Sequence, residues 1–308
     1  MTNTTAHLPS FAKINWLLRI LGKRWDGYHE VITVLETVSL CDDLTFELRE
    51  DGEITLTCDN PDIPVDSTNL IVKAAVALKK QLRSKLGAQI KLTKRIPTKA
   101  GLGGASSNAA VTLVMLNALW RGQLPIDELV GVGSALGADV PFFLVGGNAL
   151  ATGTGIRVSA LPDRPKQQLI IVTPNATVAT ANAYVALNAA SLTTSDLASI
   201  LSSSLADLVS ADSGQWPLRN DFERVIFEIE PEIERVKTAL LKAGARGALL
   251  AGSGSSVFGV FDDEAARDRA LENLSSEAGW KIFPCHTLSR DDYFRAMNAS
   301  GFPLFTLS

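Results

Sequence analysis

One stretch of the chain has the residue types for holding phosphate. Pro97-Thr98-Lys99-Ala100-Gly101-Leu102-Gly103-Gly104-Ala105-Ser106-Ser107-Asn108 lies between a strand-like segment and an apolar, helix-like one. Glycines let the backbone turn tightly and bring its N–H groups close to an anion. The start of the following helix aims its unpaired N–H groups and a partial positive charge at the same spot. Ser106 and Ser107 add hydroxyl donors. A polyphosphate suits this chemistry; the alternative is a structural turn with a serine N-cap. A Walker A loop is excluded, because no Lys-Ser/Thr pair closes the glycines. A dinucleotide-binding loop is excluded too. Ser106 stands where its last glycine would be, Pro97 separates strand from loop, and no acidic residue ends a second strand about 20 residues on.

Two charged residues sit where apolar neighbours predominate. Asp139, in Leu136-Gly137-Ala138-Asp139-Val140-Pro141, is either a helix N-cap, which Pro141 favours, or a base beside the phosphate loop. Lys13, between Ala12 and Ile14, either snorkels from an edge strand or faces an anion. Neither residue decides the matter alone.

Several elements must carry these groups. Phe11–Leu21 reads as the strand bearing Lys13 and Asn15, followed by a basic, glycine-containing loop over 22–28. Strands are expected at Val31–Leu40, Asp43–Arg49, Glu53–Cys58 and Ala88–Ile96, by alternation and apolar content. Helices are expected at Asn69–Leu82, Ser106–Trp120 and Ile126–Leu136, and Val140–Val145 is a strand or a helix end. The prolines of Leu161–Lys166 mark a domain boundary, so the expected domains are 1–162 and 163–308. Beyond the boundary comes a buried strand at Leu169–Val172. The serine-rich 191–215 stretch keeps helical spacing at Leu197, Ile200, Leu201, Leu205 and Leu208, which predicts an amphipathic helix. The remainder reads helix, strand, strand, helix, strand over 231–287, the order of a ferredoxin-like α+β unit.

Composition narrows the function. The 308 residues are 46% apolar, which is enough to bury a core, as two domains or one large α/β domain. With 29 Lys plus Arg against 33 Asp plus Glu and no basic block, the chain is a poor nucleic-acid binder. Cys41, Cys58 and Cys285 are too scattered for a disulfide framework, and no metal-clamp spacing occurs. No signal peptide and no membrane-length apolar run are evident. A soluble cytoplasmic protein is expected, as a monomer or weak homodimer.

Taken together, the pieces resemble the GHMP kinase superfamily. The 97–108 segment is similar to its phosphate loop and Gly252-Ser253-Gly254-Ser255-Ser256 to its C-terminal glycine motif. Ala12-Lys13-Ile14-Asn15, Asp26-Gly27-Tyr28-His29, Leu136–Pro141 and Asn220-Asp221-Phe222-Glu223 resemble the branch that phosphorylates a cytidine-diphosphate-linked methylerythritol in the non-mevalonate isoprenoid route. The resemblance implies an α+β, two-domain fold: a ribosomal protein S5 domain 2-like N-terminal domain and a ferredoxin-like C-terminal domain. It also implies ATP and Mg²⁺, with residues 97–107 on the phosphates, Ser107 on the metal, and Asn69 and Lys94 by the adenine. Asp139 would be the base and Lys13 its ionic partner. Tyr28, His29 and Tyr184 would hold the cytosine, and Asn15 the reacting end of the substrate. Another kinase of the superfamily, of homoserine or mevalonate type, and a non-catalytic nucleotide binder are the alternatives. Ala105 stands where the family's loop often has glycine, which would cost about 1 kcal/mol if that position needs φ > 0.

Overall fold

The computed structural model describes residues 5–189, 218–302 and 304–305; the helix expected over 191–215 lies outside them. Two long strands, β1 (Thr5–Lys23) and β2 (His29–Arg49), pair antiparallel along their whole length. With β3 (Ile54–Cys58), β4 (Gly87–Thr93), β5 (Asn148–Gly153), β6 (Arg157–Ala160) and the two-residue β8 (Arg219–Asn220) they form a seven-stranded sheet. Its path runs β3-β4-β2-β1-β8, and the first half of β2 also pairs with β5.

The strands expected on either side of Cys41-Asp42 are one strand. Charged residues usually mark a turn, but the Asp42 carboxylate is buried and fully used. It accepts from Lys94 Nζ at 3.1 Å, the amides of Arg95 and Ile96 at 2.7 Å each, and Asn108 Nδ2 at 3.1 Å. A satisfied carboxylate removes the reason for the chain to leave the sheet.

Four helices cover one face of this sheet: α1 (Leu70–Leu82), α2 (Gly104–Leu119), α3 (Ile126–Leu136) and α4 (Val140–Val145). Asn69 caps α1, its side chain accepting from the Ile71 amide. Helix α2 is buried on nearly every side, as its almost uninterrupted apolar sequence requires.

The second sheet holds β7 (Gln168–Thr173), β9 (Gly247–Leu250), β10 (Val257–Phe261) and β11 (Lys281–His286), ordered β11-β7-β10-β9 and antiparallel throughout. Helices α5 (Thr180–Leu187), α6 (Glu223–Ile229), α7 (Pro231–Lys242) and α8 (Glu264–Leu274) accompany it. This is the ferredoxin-like order. Its strands read as unbroken apolar runs because both faces are covered: Ile170 and Val172 face the helices, while Leu169 and Ile171 face β1 and β2. The layer between the sheets (Ala12, Ile14, Val34, Leu249, Phe258) joins the two units.

The chain then returns to where it began. A last helix, α9 (Arg290–Asn298), buries Tyr293 and Met297 in the core beneath the first sheet, and Tyr293 Oη donates to the Phe143 carbonyl at 2.6 Å. No helix among the described residues is long and apolar enough to cross a membrane.

Candidate active site

Lys13 lies near the middle of β1, opposite Thr37 of β2 on one side and bonded through its amide to the Leu102 carbonyl of the glycine loop on the other, so it is enclosed and does not snorkel. The residue is 3% exposed, and its Nζ donates to Asn15 Oδ1 at 2.8 Å. Residues two apart on a strand share a face, which brings Lys13 and Asn15 together. Asn15 Nδ2 donates to Thr33 Oγ1 at 2.8 Å, and Thr33 donates onward to the Leu17 carbonyl at 2.7 Å. Burial depresses the Lys13 ammonium below its ordinary pKa, and the carboxylate of Asp139 opposes that effect.

Asp139 stands just before α4 but makes no side-chain cap bond there. Its carboxylate instead lies 3.8 Å from Lys13 Nζ, with the aspartate side chain 42% exposed and the lysine 4%. The cap reading fails and the pairing holds.

The glycine loop runs from the end of β4 to α2. Gly103, at φ +71°, precedes the helix without a side-chain cap, so the amides of residues 104–106 keep no intrahelical acceptor. A Cβ on Gly103 would come within 3.0 Å of Lys13 Cγ. Gly101, at φ +77°, is packed against the second unit, and a Cβ there would lie 1.9 Å from the Ala251 carbonyl oxygen. Two backbone bonds hold the loop: Lys13 N to Leu102 O at 3.0 Å and Ser256 N to Ala100 O at 3.2 Å. Ala105 lies within the first turn of α2 and is absent from the left-handed residues, so its substitution for glycine carries no backbone cost.

These groups line one cavity of about 1090 Å³ between the two units. Lys13, Asn15, Gly101, Gly103, Ser106 and Asp139 form its floor, and Gly252, Ser253 and Gly254 border them. Tyr28, His29 and Tyr184 also belong to its wall. His29 stacks on Tyr184 with centroids 4.5 Å apart, and Tyr184 meets the edge of Phe222 at 4.9 Å. Tyr28 is 67% exposed. Its turn is shaped by Asp26, which accepts from the Tyr28 amide at 3.1 Å, and by Arg24, which pairs with Asp26 and with Glu30. Burial, with Asp139 adding to it, raises the Tyr184 phenol to about 12, so it stays a donor. Burial lowers His29, and Lys23 reinforces the shift.

Of the expected contributors, Pro97, Thr98, Ala100, Leu102, Gly104 and Ala105 of the loop do not line the cavity, and neither do Lys94, Asn69 and Ser107. Lys94 pairs with buried Asp42 at 3.0 Å and also donates to the Ile96 carbonyl, so its charge serves the sheet. Asn69 uses its side chain on the Ile71 amide and the Pro64 carbonyl. Ser107, fully buried, accepts from Ser10 Oγ at 2.8 Å; Ser106, one residue earlier, is the serine on the cavity wall. A helix start exposes successive residues on different sides, and sequence could not choose between adjacent serines. Sequence reasoning also missed Thr33 and the 177–182 segment, which have no local pattern to mark them.

Comparison with known proteins agrees with the fold. Residues 69–147 match the GHMP kinases N terminal domain and residues 197–279 the GHMP kinases C terminal family. The chain is 40% identical over 293 residues, 91% of its length and 89% of the relative's, to a 4-diphosphocytidyl-2-C-methyl-D-erythritol kinase of Solibacter usitatus (strain Ellin6076). It is 38% identical to the same enzyme of Listeria monocytogenes serotype 4a (strain HCC23), covering 85% of this chain and 90% of that one. A crystal structure of a 4-(cytidine 5'-diphospho)-2C-methyl-D-erythritol kinase superposes with a TM-score of 0.75 at 32% identity, covering 91% of this chain and 98% of the other. A homoserine kinase from Cytophaga hutchinsonii ATCC 33406, at 20% identity and a TM-score of 0.69, shares the fold. The chain belongs to the GHMP kinases and, within them, to the 4-diphosphocytidyl-2-C-methyl-D-erythritol kinase family.

Proposed function

We propose that this chain transfers the γ-phosphoryl group of ATP to a hydroxyl of 4-diphosphocytidyl-2-C-methyl-D-erythritol, giving the 2-phosphate on the methylerythritol phosphate route to isoprenoids. One observation carries the reading: Lys13 and Asp139, 126 positions apart in sequence, come within 3.8 Å beside an uncapped helix start, in a cavity whose far wall is aromatic.

Phosphoryl transfer demands positioning and charge neutralisation more than covalent chemistry. The amides at the start of α2 receive the phosphates. Asp139 accepts the hydroxyl proton as the substrate oxygen bonds to the γ-phosphorus and the bond to the β-phosphate oxygen breaks. Lys13, held by Asn15, keeps positive charge beside that oxygen. Tyr28, His29 and Tyr184 receive the cytosine, and Asn15 the reacting end of the polyol. Among the described residues no three acidic, histidine or cysteine groups cluster around a metal position. The cavity wall does hold a hydroxyl at Ser106, which would help hold a Mg²⁺ ion that arrives on the nucleotide, leaving the Asp139 carboxylate for the proton. Such an ion supplies further neutralisation of phosphate charge. The same reading places the enzyme in a reducing cytoplasm, where Cys41, Cys58 and Cys285 stay free thiols. It divides the chain at 162/163, with α9 returning to the first unit.

A coupled ADP-release assay over a panel of alcohols tests the substrate. Turnover of the cytidylyl polyol is expected, with none for homoserine or mevalonate; the reverse result overturns the assignment. Asp139→Asn is expected to lower kcat at least about 100-fold, within the range for removal of a general base, while leaving ATP affinity within a few-fold. Retained turnover removes Asp139 as the base.

A further inference from the structure

Asn220-Asp221-Phe222-Glu223 has a local explanation as a turn that starts the next helix: Asn220 Oδ1 accepts from the Phe222 amide at 3.0 Å. Other bonds of this segment reach distant parts of the chain. Asn220 is 5% exposed, and its Nδ2 donates to the Leu250 carbonyl at 2.8 Å and the Gly252 carbonyl at 2.7 Å. The Gly252 amide donates to Asn15 Oδ1 at 3.0 Å, the same oxygen that receives Lys13 Nζ at 2.8 Å. Asp221 Oδ2 accepts from the Ile20 amide at 2.9 Å, and Glu223 Oε1 from the Leu250 amide at 3.1 Å. Phe222 sets its edge on Tyr184. A four-residue segment thus grips β1, the end of β9 and the aromatic wall at once.

The geometry points to Asn220 as a positioning residue for the transfer: it holds the Gly252 turn against Asn15, and through Asn15 it fixes the place of Lys13. The inference rests on the phosphotransferase reading above. Its physical basis is that an acceptor shared by two donors is oriented by both. Release of the Gly252 amide leaves the Asn15 side chain held only through its Nδ2, by Thr33, so its oxygen is less firmly placed for Lys13, whose other partner is the Asp139 carboxylate at 3.8 Å.

Asn220→Asp separates the two roles. It keeps the oxygen that accepts from Phe222 and deletes the two donated bonds. A turn-forming role predicts kcat within twofold of wild type, because aspartate serves such turns as well as asparagine. The positioning role predicts a kcat at least tenfold lower with KM for ATP within threefold, measured by ADP release on protein shown to be folded by its melting transition. An unchanged kcat overturns the inference, as does a loss expressed only in KM. If Asn220→Asp does not fold, Glu223→Ala removes the other hold on Leu250 from a partly exposed site; a kcat at least threefold lower at unchanged KM for ATP supports the inference, and an unchanged kcat overturns it. The wild type keeps the two readings apart. If it phosphorylates a different alcohol on the panel, the substrate assignment falls and the Asn220 comparison is made on the alcohol accepted.

Discussion

At the scale of single residues, the site is built from side chains that each have an unusual reason to be where they are. Lys13 is a buried cation, and a buried cation needs acceptors. Asn15 is one, and the half-exposed Asp139 carboxylate is the charge across from it. Tyr28 is the opposite case, an aromatic residue left in water on an ordered turn that Arg24, Asp26 and Glu30 brace. The brace fixes the backbone that carries the ring, so binding need not order the turn. Base–aromatic stacking is worth about 1–3 kcal/mol, so Tyr28→Ala should raise KM for the cytidylyl substrate between about fivefold and about 150-fold. The KM for ATP should not change. Initial-rate kinetics in both substrates check this, and an unaltered KM for the cytidylyl substrate would separate Tyr28 from base recognition.

At the scale of elements, the decisive feature is a helix start without a cap. Helix α2 begins after Gly103, a glycine in the left-handed region pressed between Lys13 of β1 and Phe143 of α4. The close approach of Gly101 to the Ala251 carbonyl ties the phosphate loop to the ferredoxin-like unit. Gly101→Ala would put a Cβ 1.9 Å from that oxygen at a φ of +77°. Left-handed strain and overpacking together predict a loss of about 2–5 kcal/mol, with turnover falling in the fraction that folds. Urea unfolding and kcat measured on the same preparation check it; a variant as stable as wild type would show that the loop is not wedged in this way. Strand β2 teaches a related lesson. Cys41-Asp42-Asp43 looks like a break in the sequence, and Lys94 looks like a free cation. Each accounts for the other once the sheet closes over them.

At the scale of the whole molecule, two sheets meet through an apolar layer, and Glu36 sits buried at that junction. Trp16 Nε1 donates to its carboxylate, and Trp16 packs edge-on against Phe258 of the second sheet. Burial raises the Glu36 carboxyl to about 7 from an ordinary 4.5, outweighing the opposing Trp16 bond and the charge of Arg164. The sign follows directly. Between those values the folded protein holds a proton that the unfolded chain has released, so stability from this group falls as pH rises through the window and levels off above it. The loss is at most about 3 kcal/mol. Glu36→Gln keeps an acceptor for Trp16 and should remove this part of the pH dependence, making the variant more stable than wild type at pH 8 but not at pH 5. Urea midpoints across that range decide it; parallel slopes for the two proteins would refute it.

Much of this protein was legible in its sequence. Period and composition determined most strands and helices of both units, because burying an apolar face is a local demand repeated along each segment. The glycine loop was legible because only glycine tolerates such turns, and the motifs around Lys13, Tyr28, Asp139 and Asn220 were legible as a family pattern. Tertiary structure alone decided what those residues do to one another. It turned Asp139 from a plausible cap into the partner of Lys13, assigned Lys94 to Asp42, and chose Ser106 over Ser107 for the cavity. It also sent α9 back to the first core. Each of those outcomes depends on which distant segment arrives opposite a side chain, and a local pattern of residues holds no record of that.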